Sequence, residues 1–216
     1  MNRSTATLSE VETPKRAPTR RALAKRQTRL KVLNAARNLF SEEGYEGATI
    51  RDIAAAAGMS TGAVFANFRD KADLFREIMT EDLDALLGVM RAAAIQNGKI
   101  EESLLKVLMA GYAFCKARLQ LARAAFSVAW DVDGGPALRD LASSCGFQDV
   151  FTDQLTSAVE RGELSQQSEV KLRSQMLMDC FLANFSQAIF EGWSLDALQA
   201  RAKDQIRIVL AGARRG

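Results

Sequence analysis

The sequence predicts an all-α protein of about nine helices, a three-helix unit near the N-terminus followed by a larger helical domain. Three observations carry this prediction. Glycine and proline number only 14 and 3 in 216 residues, and the long stretches without them read as helix. No segment sustains the apolar–polar alternation of a half-buried strand. Between residues 49 and 70, three cap-type residues, Thr49, Ser60 and Asp70, each precede a new helical run.

The elements follow in order. Residues 1–25 are polar and basic, contain Pro14 and Pro18, and are expected to form a disordered arm. The head is placed at 26–72 and the larger domain at 73–216. "TRLKVLNAARNLFSEEGYEG" sets Val32, Leu33, Ala36 and Phe40 at helical spacing, and Gly44 supplies the positive-φ position that ends a helix. Thr49 caps "IRDIAAAAG", which Gly58 stops after two turns. Ser60 opens a run to Asn67, and Asp70 caps a long helix from Lys71 to Gln96. Helices this short are marginal alone in water. They hold only if Leu33, Ala36, Phe40, Ile50, Ile53, Ala54, Val64, Phe68 and Leu74 pack together. Further on, Asn97-Gly98, "DVDGGPAL" with Pro136, "RGELSQQS" and "EGWSLD" break the chain into more helices.

Composition removes several functions. No apolar run approaches the 18 residues of a membrane span, and the basic N-terminus lacks the apolar core of a signal peptide, so a cytoplasmic product is expected. Histidine is absent, which makes common zinc sites and histidine-based triads untenable; no metal or cofactor is expected. Carboxylates are scattered at helix-surface spacing without a catalytic constellation, so an all-helical enzyme is the weakest reading. Cys115, Cys145 and Cys180 are odd in number and far apart, which argues against a disulfide framework. They read as small buried apolar side chains, with redox sensing as the alternative.

Charge is distributed unevenly. Residues 1–80 hold 14 Lys/Arg against 9 Asp/Glu, whereas residues 81–216 hold 15 against 17. Eight basic and no acidic residues lie between Lys15 and Lys31, which suggests a polyanion partner for the first part of the chain. Two short helices joined by "GMS" form a helix-turn-helix, whose second helix lies in the DNA major groove. A reading helix needs only enough length for one groove crossing. Gly62 within it allows close backbone approach, at roughly 1 kcal/mol of helix propensity relative to Ala.

The run "VLNAARNLFSEEGYEGATIRDIAAAAGMSTGAVFANFRDKADLFREIM" closely resembles the DNA-binding head of the TetR family of bacterial transcriptional repressors. The matching pieces are Ala35-Ala36, Leu39-Phe40, Gly44-Tyr45, Thr49, Ile53-Ala54, Ala57-Gly58, Ser60, Gly62, Phe68, Lys71 and Leu74-Phe75. The resemblance implies phosphate contacts from Thr49, Arg51 and Lys71, with Ser60, Thr61 and Gly62 opening the recognition helix. Two positions depart from the pattern: Phe65 stands where the family usually has Tyr, and Asn67 where it has His or Tyr. Without the hydroxyl, Phe65 either faces DNA as a bare ring or packs inside the head, while Asn67 keeps a donor and an acceptor. In the basic arm, Arg20, Arg21, Lys25 and Arg26 are candidates for minor-groove or phosphate contact, against a merely solvated tail.

In the larger domain, Met109, Tyr112, Cys115, Phe126, Trp130, Phe147, Phe151 and Leu155 are mostly apolar and spread over three helices. A plain core would look the same; the resemblance implies a small-molecule effector site here, and such a lining favours an apolar effector. The fourth helix would connect it to the head. Leu177, Phe181, Phe185 and Ile189 recur every four residues, and Leu198, Ile206 and Val209 follow at helical spacing. This stripe either fills the monomer core or pairs with a second copy in a four-helix bundle. The resemblance implies the homodimer, and with it a near-palindromic double-stranded operator. A regulator controlled by a protein partner or cysteine oxidation is the nearest alternative.

Overall fold

The structure, a computed structural model, describes residues 19–95, 98–130 and 146–213. Among them are nine helices and no strand: α1 Arg20–Gly47, α2 Ile50–Ala56, α3 Thr61–Phe65, α4 Lys71–Ala93, α5 Ile100–Lys116, α6 Leu119–Trp130, α7 Phe147–Glu160, α8 Val170–Phe190 and α9 Leu195–Val209. The segment "DVDGGPAL", Asn97, Cys145 and the Trp130 side chain lie outside the described residues, as does the arm up to residue 18.

The caps read from the sequence are in place. Thr49 Oγ1 accepts the Asp52 N–H at 3.2 Å, Ser60 Oγ accepts the Ala63 N–H at 3.2 Å, and the Asp70 carboxylate accepts the Asp73 N–H at 2.7 Å. Each satisfies a helix-start donor that has no partner within its own helix. Gly44 takes φ +76°, breaking α1 one turn before its end. Two boundaries differ from expectation. The first helix begins at Arg20, so residues 20–25 of the expected arm are helical; Arg, Ala, Leu and Lys are good helix formers and no proline follows Pro18 there. The fourth helix also runs through the domain boundary set at residues 72 and 73.

Two cores result. Val32, Leu33, Ala36, Phe40, Ile53, Ala54, Val64 and Phe68 close the head with Leu74, Phe75 and Ile78 of α4. Leu86, Leu87 and Met90, farther along α4, belong to the second core. α6 also joins the two: Leu121 and Ala124 are buried in the head's core, while Leu119, Ala122 and Phe126 pack on the other.

A correction concerns the hairpin of α8 and α9. Leu177, Phe181, Phe185, Ile189, Leu198, Ile206 and Val209 are all buried within the single chain, none more than 5% exposed. They pack on α5 and α7 through Tyr112, Phe147 and their neighbours. They therefore cannot meet a second copy. The four-residue period finds the most apolar stripe of a helix, and that stripe goes to the nearest core.

Candidate nucleic-acid interface

The interface is built on α2, the turn after it, and α3. Gly58 adopts φ +67°, and the N–H groups of Gly58 and Met59 close back onto the carbonyls of Ala55 and Ala54. The chain then re-enters helix at Ser60. Val64 and Phe68, 0% and 2% exposed, anchor α3 against the head. That leaves Thr61, Gly62, Phe65 and Ala66 on its outer side, with Phe65 55% exposed. Thr49 and Arg51 are exposed on the adjoining part of α2. Nothing in the interior demands Gly62, since a Cβ there would meet only Ser60 Oγ at 3.8 Å.

Phe65 thus faces outward, which excludes its packing inside the head. Asn67 goes the other way. Its amide nitrogen donates to the Ala63 carbonyl at 2.9 Å, and its side-chain oxygen is buried without a partner. The residue closes the end of α3 and its oxygen is withdrawn from the surface, so of the two groups expected to face DNA only the half-buried amide nitrogen keeps an N–H to offer. Lys71 is half-buried: its ammonium donates to the Tyr45 carbonyl at 2.9 Å and lies 4.3 Å from the Tyr45 ring centroid, with the Glu46 carboxylate at 3.9 Å. It ties the start of α4 to the end of α1, where Phe40, Tyr45 and Phe75 form an aromatic cluster.

One supporting residue gives no local sign in the sequence. Arg29 sits 4.2 Å from the Phe68 ring, donates to the Asn67 carbonyl at 2.6 Å, and forks onto the Glu77 carboxylate. It joins α1, the end of α3 and α4 across 38 and 48 residues of chain. Arg20, Arg21, Lys25 and Arg26 are exposed in the first turns of α1. Held in a helix, they are spread around its axis rather than strung along an extended arm.

Of the residues expected to line an effector pocket, the described ones come together in the second core. Tyr112, Cys115, Phe147, Phe151 and Leu155 are buried, with Met109 and Phe126 half-buried against them. Tyr112 stacks on Phe181 at 4.8 Å and 4°, and Phe147 lies 5.1 Å from the same ring. Two surface clefts of about 350 and 390 Å³ are present, one lined by residues of α5 and α9, the other by residues of α1 and α6; none of the predicted pocket residues lines either. Sequence reasoning missed the polar part of this core. Asn184, 3% exposed, donates to the Tyr112 hydroxyl at 3.0 Å and to Gln205 at 2.7 Å, and accepts from Gln205 at 3.2 Å. Burial raises the Tyr112 phenol and pushes the Cys115 thiol up to about 12. It also raises the half-buried Cys180, with help from the Asp179 carboxylate. Among the described residues no three Cys, Asp or Glu side chains gather as metal ligands, and no helix is long and apolar enough to cross a membrane.

A trihelical head that caps, stops and buries two short helices so that the second shows its outer side to solvent is a helix-turn-helix DNA-binding unit. Residues 32–78 match the family model of the bacterial regulatory proteins of the tetR family. The head therefore carries the DNA-binding region of that family of transcriptional regulators. It is 40% identical over 74 residues to the transcriptional repressor AcnR of Corynebacterium glutamicum, covering 34% of this chain and 37% of that protein. The chain thus spans little over a third of the length of that relative. Over a longer stretch, 82% of this chain and 86% of the other, it is 26% identical to the repressor ComR of Escherichia coli. Among solved structures, a Mesorhizobium loti protein assigned to the TetR family superposes with TM-score 0.74 at 21% identity, over 92% of this chain and all of that one. The complex of SmeT with triclosan superposes with TM-score 0.69 at 19% identity, over 88% and 92%. These two likenesses establish the fold.

Proposed function

We propose that this chain is a cytoplasmic, homodimeric transcriptional repressor that leaves a palindromic operator when a small, largely apolar effector binds its larger domain. The observation that carries this is the outward face of α3, anchored by Val64 and Phe68 in a head that matches a regulator family. The repressor relatives and the triclosan-bound fold neighbour support the direction of control and the class of effector. Thr49, Arg51 and the basic start of α1 hold phosphates, and Thr61, Gly62 and Phe65 meet base edges. Lys71 has donors to spare for a phosphate after serving Tyr45.

Dimerisation uses the outer side of the α8–α9 hairpin. Leu172, Met176 and Phe190 are exposed along α8 at 55%, 39% and 68%, and Ile208 on α9 at 61%. A two-fold pairing of these faces makes a four-helix bundle and sets two heads on one side. Effector binding would open the aromatic core around Tyr112 and move α6, whose Leu121 and Ala124 are lodged in the head. The Asp82 carboxylate reinforces that junction, 3.4 Å from Arg37 of α1 and 3.9 Å from Arg118 before α6. Release then follows as a population shift toward a state with wrongly spaced heads. Cysteine oxidation is the poorer trigger for Cys115, a buried thiol held far from ionisation.

The test is fluorescence anisotropy of the full chain on the DNA upstream of its own gene, beside an unrelated duplex, over a salt series. Preferential binding to a palindrome, saturating at two chains per site or a multiple of two, is expected. Equal and steeply salt-dependent binding to both duplexes would reduce the interaction to phosphate contacts and sink the operator reading.

A further inference from the structure

The outer side of α3 carries an unusual set of groups for a base reader. From Ser60 to Phe68 no side chain is charged, and Arg, Lys and Gln are absent. These, with Asn, are the residues that grip guanine or adenine with paired hydrogen bonds. The single Asn cannot form such a pair: Asn67 donates to the Ala63 carbonyl, and its oxygen, the acceptor an adenine would need, is buried. Ser60 Oγ is engaged as a cap on the Ala63 N–H. At spacings that share one helix side, Thr61, Gly62, Phe65 and Ala66 remain exposed. Thr61 supplies one hydroxyl and one methyl, Ala66 a methyl, and Phe65 an aromatic ring 55% open to solvent.

An exposed ring is an energetic cost in the free protein, since its apolar surface stays in water. Val64 and Phe68 occupy the core side of α3, and the Phe65 ring stands on the other. In the major groove the one apolar feature of a base edge is the C5 methyl of thymine. We infer that Phe65 selects thymine through that methyl group, so that the half-site is recognised mainly by apolar contact and shape rather than by paired hydrogen bonds. Gly62, one turn before Phe65, lets the backbone come close enough for the ring to reach it.

This rests on the operator reading above, and the test separates the two. Duplexes that bind the full chain are first selected from a random pool. Thymines of the best duplex are then replaced one at a time by deoxyuridine, which lacks only the methyl, and binding is measured for the natural chain, Phe65→Ala and Phe65→Tyr. At one or two positions per half-site, deoxyuridine is expected to weaken the natural chain about fourfold, or about sixteenfold when placed in both half-sites. Phe65→Ala should bind the thymine and deoxyuridine duplexes alike at those positions, while thermal unfolding shows its fold intact. Methyl dependence that survives Phe65→Ala would overturn the assignment to this ring. Operator binding with no methyl dependence at any position would overturn the inference and leave the operator reading standing. A pool that yields no preferred sequence would remove both.

Discussion

Phe65 and Asn67 stand two residues apart and point opposite ways. Both are departures from the family pattern, and the sequence alone left both open to DNA. The structure sends the ring out and the amide oxygen in, because Val64 and Phe68 fix which side of α3 meets the core. The caps at Thr49, Ser60 and Asp70 were legible since their partners lie three residues away. Arg29 was not, since its partners lie 38 and 48 residues away and nothing in local pattern points to them. Cys115 offers a test at this scale. With its thiol pushed up to about 12 by burial, it should resist iodoacetamide at pH 8 in the folded chain and react fully in denaturant, read by mass spectrometry. Because its folded-state value lies above the ordinary thiol value of about 8.5, its contribution to stability is complete below that pH and is lost as pH rises toward 12. Denaturant midpoints should therefore fall over that window, and fall less in Cys115→Ala.

At the scale of elements, helix order, caps and stops were readable. What periodicity could not decide was which stripe of a two-sided helix turns inward. α8 has an apolar series on each side: Leu177, Phe181 and Phe185 inside, Leu172, Met176 and Phe190 outside. The contact between α5 and α8 depends on Gly111, where a Cβ would lie 2.7 Å from Phe181 Cε2 and 3.1 Å from Met90 Sδ. Gly111→Ala should cost about 1–3 kcal/mol by overpacking. Gly88→Ala, on the exposed side of α4 with nothing within 4 Å, should instead add about 0.4–1 kcal/mol. Urea denaturation of the two variants compares the signs directly.

At the scale of the whole molecule, the two cores are joined by helices that belong to both. α4 was anticipated as that connection; α6 was not, because Leu121 and Ala124 look like any other apolar residues of a helix. The outer hairpin face makes a further prediction. Met176→Glu with Ile208→Glu should convert the protein from twice the 23.6 kDa chain mass to the single-chain mass in sedimentation equilibrium, with helical circular dichroism retained. Phe181→Ala, in the buried stripe, should leave the association unchanged while costing about 3–5 kcal/mol of stability. A single-chain mass for the unaltered protein would refute the dimer.

The sequence by itself determined the all-α class, the positions of caps and stops, the helix-turn-helix and the family of the head. Each of these depends on residues within a turn or two of one another, or on a run of motif residues. Tertiary structure alone decided that the aromatic set around Tyr112 packs into the second core, that the periodic stripe of α8 faces its own core, and that the Asn67 side-chain oxygen is buried. It also placed α6 in the head and Asn184 against Tyr112. These are choices between faces and partners distant in the chain. A helical period gives the spacing of a face, but only the neighbouring surface selects the face that is buried.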